Sequence, residues 1–132
     1  MATTAGDIIK RALRLCRVVD AYTAVDPNDA SDALETLNAM LAEWHEAEIG
    51  LPDYSFADLT DTLSSDAADR EALVYQLAPR LAPEYGVALP VEVAGIAEST
   101  MARLRLRYFQ PGCVSFSELP GRCHSFNIET GE

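Results

Sequence analysis

A chain of 132 residues, 48% of them hydrophobic, has room for one domain with a modest core. Its net charge of −11 argues against a protein that wraps nucleic acid, because phosphate contacts need clustered Lys and Arg. No stretch approaches the ~18 apolar residues that span a membrane, and the N-terminus lacks the apolar run of a secretory signal, so we expect a soluble protein made in a cytosol.

Thr4 followed by Asp7 makes a capping pair, and Ile8, Ile9, Ala12, Leu13, Leu15, Cys16 and Val19 then form a broad apolar stripe. This predicts a first helix over about residues 5–19. Lys10, Arg11, Arg14 and Arg17 cluster on its opposite side. Such a basic face is either simply solvated or meets phosphate or an acidic neighbour. Residues 20–25 form a link short enough to make the first two helices antiparallel neighbours.

The best-specified element covers residues 26–50. Asp26 supplies the N-cap, Pro27 suits the first helical position, and Gly50 suits a left-handed stop. At 100° per residue, Ala30, Ala33, Leu34, Leu37, Met40, Leu41 and Trp44 share one side, and Asp32, Glu35, Glu43 and Glu46 share the other. The stretch after Gly50 changes to Pro, Asp, Ser and Thr around Tyr54, Phe56, Leu59 and Leu63. It reads as a loop with at most one short strand or hairpin, whose aromatics form a contact surface or tuck under the bundle.

Ser65 or Asp66 caps a third helix in which Leu73, Val74, Leu77, Ala78, Leu81 and Tyr85 share a face, ending near Gly86. Pro79 is expected to kink or split it, and Pro83 to help end it. Pro90 opens a fourth helix that runs to about Tyr108 and carries two apolar stripes. One holds Val93, Ala94, Ala97, Met101, Leu104 and Tyr108; Val91, Ala102, Leu106 and Phe109 lie well round from it. A helix apolar on two sides is buried on two sides, so one stripe is expected to face the bundle and the other a neighbouring subunit. From Pro111 onward Pro and Gly interrupt the chain, yet Val114, Phe116, Leu119, Phe126 and Ile128 are too apolar for a disordered tail. This arm is expected to order against its own bundle or another chain. The fold class is therefore all-α: a small four-helix bundle with a short irregular or hairpin insertion over residues 1–110, and an extended C-terminal arm over 111–132.

Candidate chemistry is sparse. Glu43, Glu46 and Glu48 surround Trp44 and His45, and two carboxylates three residues apart approach the spacing of a glycan hydrolase. A catalytic acid needs burial, however, and Glu43 and Glu46 point to the polar face. His45 with Glu46 or Glu48 is half a metal site with no second ligand-bearing helix. His124 beside Cys123 has no evident base. Cys16, Cys113 and Cys123 are odd in number and follow no zinc spacing, so reduced thiols are expected. No catalytic residue, metal or cofactor is implied. Charge is polarised: residues 18–69 contain no Lys or Arg, while Arg103, Arg105 and Arg107 sit near the end. Such patches let a chain meet copies of itself or a partner, or are simply solvated. The residues point to an assembly protein.

Four segments also carry a resemblance. These are residues 6–13 (GDIIKRAL), 32–44 (DALETLNAMLAEW), 77–86 (LAPRLAPEYG, with its Ala-Pro-x-Tyr ending), and the tail from Leu119-Pro120-Gly121-Arg122 through Phe126-Asn127-Ile128-Glu129-Thr130-Gly131. In this order they resemble the tail accessory proteins of short-tailed bacteriophages, also called head-to-tail adaptors, head completion or packaged-DNA stabilisation proteins. Residues 54–65 and 113–118 depart from that pattern.

The resemblance implies a virion protein of the head–tail junction, assembled in a bacterial cytoplasm. It implies a ring of twelve copies beneath the portal protein that extends the DNA channel, helps to retain packaged DNA and seats the next tail component. On this reading DNA passes without specific binding, no membrane is involved, and Phe126, Asn127 and Ile128 anchor the arm on the portal. Helix geometry adds Arg105, Leu106 and Phe109 as the subunit interface. Two other functions remain open: a cell-wall glycan hydrolase using Glu43 or Glu46, and a DNA-binding helical module using Lys10, Arg11, Arg14 and Arg17.

Overall fold

A computed structural model of the chain describes residues 2–53 and 55–109. Within them are four α-helices, α1 (Ala5–Leu15), α2 (Pro27–Glu46), α3 (Ala67–Leu81) and α4 (Val91–Arg107), with a 3-10 turn, Ala82–Tyr85, directly after α3. Helices α1, α2 and α3 touch pairwise, and α4 packs on α3. The result is the small all-α bundle that the periodicity predicts. The extended arm lies outside the described residues.

The caps explain where the helices begin. Thr4 and Asp7 form the expected capping box: the Asp7 amide donates to the Thr4 hydroxyl at 3.2 Å, and the Thr4 amide donates back to the Asp7 carboxylate at 3.0 Å. That amide is the main cause that holds the Asp7 carboxyl below its usual range. At α2 the Asn28 amide donates to Asp26 at 2.8 Å, with Pro27 in the first helical position. Asp66 occupies the N-cap position of α3 without making a side-chain cap.

The helix ends differ from the expected ones. Helix α1 stops at Leu15 and α2 at Glu46, and the left-handed positions are taken by Arg17 (φ 58°) and Glu48 (φ 62°), not by Gly50. At both ends two backbone bonds close a Schellman stop: Val18 N–H to Leu13 C=O and Arg17 N–H to Arg14 C=O, then Ile49 N–H to Trp44 C=O and Glu48 N–H to His45 C=O. Gly86 (φ 63°) closes the 3-10 turn in the same way, with the Val87 amide on Ala82. In all three cases an apolar residue follows the left-handed one, and Ile49 is buried. Returning that side chain to the core selects the stop. Pro79 does not split α3; the helix runs through it and tightens to 3-10 geometry from Ala82.

Among its described residues the insertion between α2 and α3 contains no strand. Its carbonyls cover the start of α1 instead: the amides of Ala5 and Gly6 donate to Asp61 and Leu59 at 2.9 and 2.8 Å, and an isolated antiparallel bridge joins Thr4 to Thr62. A Cβ on Gly6 would lie 3.1 Å from the Leu59 carbonyl oxygen, so a larger residue there would push the loop back by a few tenths of an ångström. Asn38 of α2 holds the loop with both ends of its amide, accepting from Phe56 N–H at 2.8 Å and donating to Phe56 C=O at 2.9 Å. Phe56, Ile49 and Leu51 thereby enter the core, so the loop tucks under the bundle. Cys16 is buried, its thiol donating to the Ala78 carbonyl at 3.2 Å, and burial pushes that thiol's pKa up.

Candidate assembly interface

Helix α4 has two different sides. Toward α3 it buries Val93, Ala97, Thr100 and Leu104. The Thr100 hydroxyl is satisfied by donating to the carbonyls of Ile96 and Ala97 at 2.8 and 3.0 Å, and Gln76 of α3 also donates to Ala97 C=O. Ala94, expected on this inner stripe, is exposed, and Thr100 takes an inner position. The remaining side is open and mixed in character: Val91 is 83%, Leu106 81% and Phe109 72% exposed, with Glu98, Ser99 and Ala102 exposed between Val91 and Leu106. Large apolar side chains left uncovered on the outer side of one helix are candidates for contact with something outside the fold.

Arg105, Leu106 and Phe109 sit together at the C-terminal end of this face, all exposed. Arg105 and Phe109 line a cavity of about 220 Å³ with Glu48 and Ile49, which follow the end of α2. Phe126, Asn127 and Ile128, like Cys113 and Cys123, fall outside the described residues.

A polar clasp, unforeseen from the sequence, fixes the end of α4. Asp69, 2% exposed, accepts from the Tyr108 hydroxyl at 2.5 Å and lies 3.5 Å from the Arg107 guanidinium. Arg107 also pairs with Asp66 and lies over the Tyr108 ring, 5.6 Å from its centroid. Burial first, and the Asp69 hydrogen bond second, push the Tyr108 pKa up to about 12. The available signal was weak: two carboxylates three residues apart at a helix start, and an Arg-Tyr pair at the end of another.

The basic residues of α1 form one wall of a second feature. Lys10, Arg11 and Arg14 line a cleft of about 390 Å³, and its other cation is Arg70 of α3, which the one-helix reading missed; Arg17 is not among the lining residues. Arg11 is paired with Glu71 at 2.7 Å, and Arg14 donates to the Ala21 carbonyl at 2.9 Å.

The acidic face of α2 shows none of the features of a catalytic acid. Glu43 is exposed and paired with Arg80 at 2.8 Å, and that hydrogen bond holds its carboxyl below the usual range, opposite to the shift a general acid needs. Glu46 is exposed too. Among the described residues no group of three or more His, Cys, Asp or Glu is arranged to hold a metal ion, and no helix is long and apolar enough to cross a membrane.

A family model described as P22 tail accessory factor matches residues 1–113, which take in all four helices. The chain belongs to the P22 tail accessory factor family, a bacteriophage family with a structural role in the virion.

Proposed function

We propose that the chain is a head-to-tail adaptor, forming a ring of about twelve copies beneath the portal, extending the DNA channel, helping to retain packaged DNA and seating the next tail component; the number twelve is carried by the family resemblance and not by any general rule of closed rings. The observation that carries this reading is the open face of α4, where Val91 and Leu106, with Phe109 just past the helix end, lie exposed on a helix whose other side is already packed. Arg105, Leu106 and Phe109 are its subunit interface, and Phe126, Asn127 and Ile128 anchor the following arm on the portal. A net charge of −11 suits a channel through which DNA slides without sticking, because like charge repels phosphate.

Mixing the cognate portal ring with the full-length chain, and with a truncation ending at Gln110, tests this by the mass of the complex. The full-length chain is expected to add about one copy per portal subunit, and the truncation none. Failure of both to bind would overturn the adaptor reading.

A further inference from the structure

We propose that the cleft between α1 and α3 is the receiving half of a head-to-tail contact between copies of this chain, and that its occupant is the acidic outer face of α2 of the neighbouring copy. The contact rests on the ring-forming reading above and adds a second, charged contact between copies to the apolar one on α4.

The cleft gathers Lys10, Arg11, Arg14 and Arg70 around about 390 Å³, with Asp7 as its acidic member. Asp7 is committed to the amide and hydroxyl of Thr4, Arg11 to Glu71 and Arg14 to the Ala21 carbonyl. The side chains of Lys10 and Arg70 make no direct ion pair or hydrogen bond among the described residues, although both attract the Asp7 carboxylate through space. Two cations whose partner is Asp7, reached through space and not by direct contact, can take further carboxylates beside this concave wall. They are too few for a duplex, whose affinity comes from a longer row of phosphate contacts.

The complementary surface lies on the same chain. Asp32, Glu35 and Glu46 are exposed and make no ion pair among the described residues. At 3.6 residues per turn they fall within about 60° of one another. Ala39 and Ala42 are also exposed on that side and are short enough to let another helix approach. Residues 18–69 carry no Lys or Arg, so the segment supplies no cation of its own to these carboxylates.

Placement supports the pairing. Because α1, α2 and α3 touch pairwise, the groove between α1 and α3 lies across the cluster from the outer face of α2. A contact that joins opposite sides of one subunit is heterologous, and repeated with a closing rotation it makes a ring.

Lys10 is the only lysine in the sequence, which makes the test clean. Isotopically light and heavy full-length chains are mixed, assembled on the cognate portal ring or concentrated without it, and coupled with a carbodiimide that joins only amines and carboxylates in contact. The expected product links Lys10 of one copy to Asp32, Glu35 or Glu46 of another. Lys10→Glu with Arg70→Glu should sharply weaken association between copies, as should Asp32→Lys with Glu35→Lys. An equal mixture of the two variants should restore it, because every cleft then faces the opposite charge.

Coupling of Lys10 only within its own copy, or failure of the mixture to recover association, overturns the contact. So does a Lys10→Glu, Arg70→Glu variant that assembles normally but loses salt-sensitive binding to duplex DNA, which would make the cleft a phosphate site. If the portal takes up copies that never couple through Lys10, the adaptor reading stands and this contact falls. If the portal takes up none, the adaptor reading falls, and coupling in the portal-free sample decides the contact.

Discussion

Helices α3 and α4 are neighbours of similar length, 15 and 17 residues, yet they spend their apolar side chains differently. Helix α3 is in contact with α1, α2 and α4, and Leu73, Leu77 and Leu81 are wholly buried. Helix α4 buries Leu104 against α3 and leaves Leu106 81% exposed two residues later. The contrast separates residues that hold the monomer together from residues available to something outside it. Among the described residues every buried side-chain N or O has a hydrogen-bond partner, so the open face of α4 is not part of a loosely built fold.

The largest effect should separate the two helices. Leu77→Ala removes a fully buried side chain at the centre of the cluster and should cost about 2–5 kcal/mol in denaturant unfolding. Leu106→Ala should change stability by no more than about 0.5 kcal/mol, the range of ordinary surface substitutions, while weakening uptake onto the portal ring. A Leu106→Ala variant that unfolds as readily as Leu77→Ala would break the comparison, because the face would then be covered within its own chain.

Where a short-range cause was enough, the residues announced the structure. The Thr4–Asp7 box, the Asp26-Pro27 start and the apolar side of α2 each depend on neighbours a few positions away. The double stripe of α4 was legible too, since helical register alone puts Val91 and Leu106 opposite Val93 and Leu104. What failed depended on tertiary context. Gly50 is the obvious stop by conformational freedom, but burying Ile49 requires the turn two residues earlier, at Glu48. The second cation wall of the cleft, Arg70, and the pairing of Asp69 with Tyr108 join residues far apart in sequence, which no periodicity encodes.

A middle-sized effect lies at the clasp, where α3 and α4 are joined by polar groups instead of apolar ones. Tyr108→Phe leaves the buried Asp69 carboxylate without its hydroxyl donor and should cost about 1–3 kcal/mol. The pH profile sharpens the assignment. Tyr108 titrates near 10.0 when unfolded and is pushed up to about 12 in the fold, so between those values the native state holds the proton more tightly. Its contribution is therefore complete below pH 10.0 and is lost as pH rises through about 12. Unfolding of the wild type and of Tyr108→Phe across that window should differ by a gap that narrows with pH. A constant gap would mean the hydroxyl serves packing and not the bond to Asp69.

The smallest effect has the opposite sign. Arg17 and Glu48 hold left-handed conformations that glycine adopts freely, and both positions are exposed. Replacing either by Gly should stabilise the chain by no more than about 1 kcal/mol, the strain relieved slightly exceeding the entropy gained by the unfolded chain. Gly50→Ala should be neutral, because Gly50 has no positive φ. Glu48 carries a second meaning, since it lines the cavity shared with Arg105 and Phe109 at the open end of α4. If Glu48→Gly stabilises the monomer and leaves portal uptake unchanged, its carboxylate serves only the turn. If the same substitution stabilises the monomer but weakens assembly, the end of α2 belongs to the surface that α4 presents, and the strain at Glu48 is kept for the contact its side chain makes there.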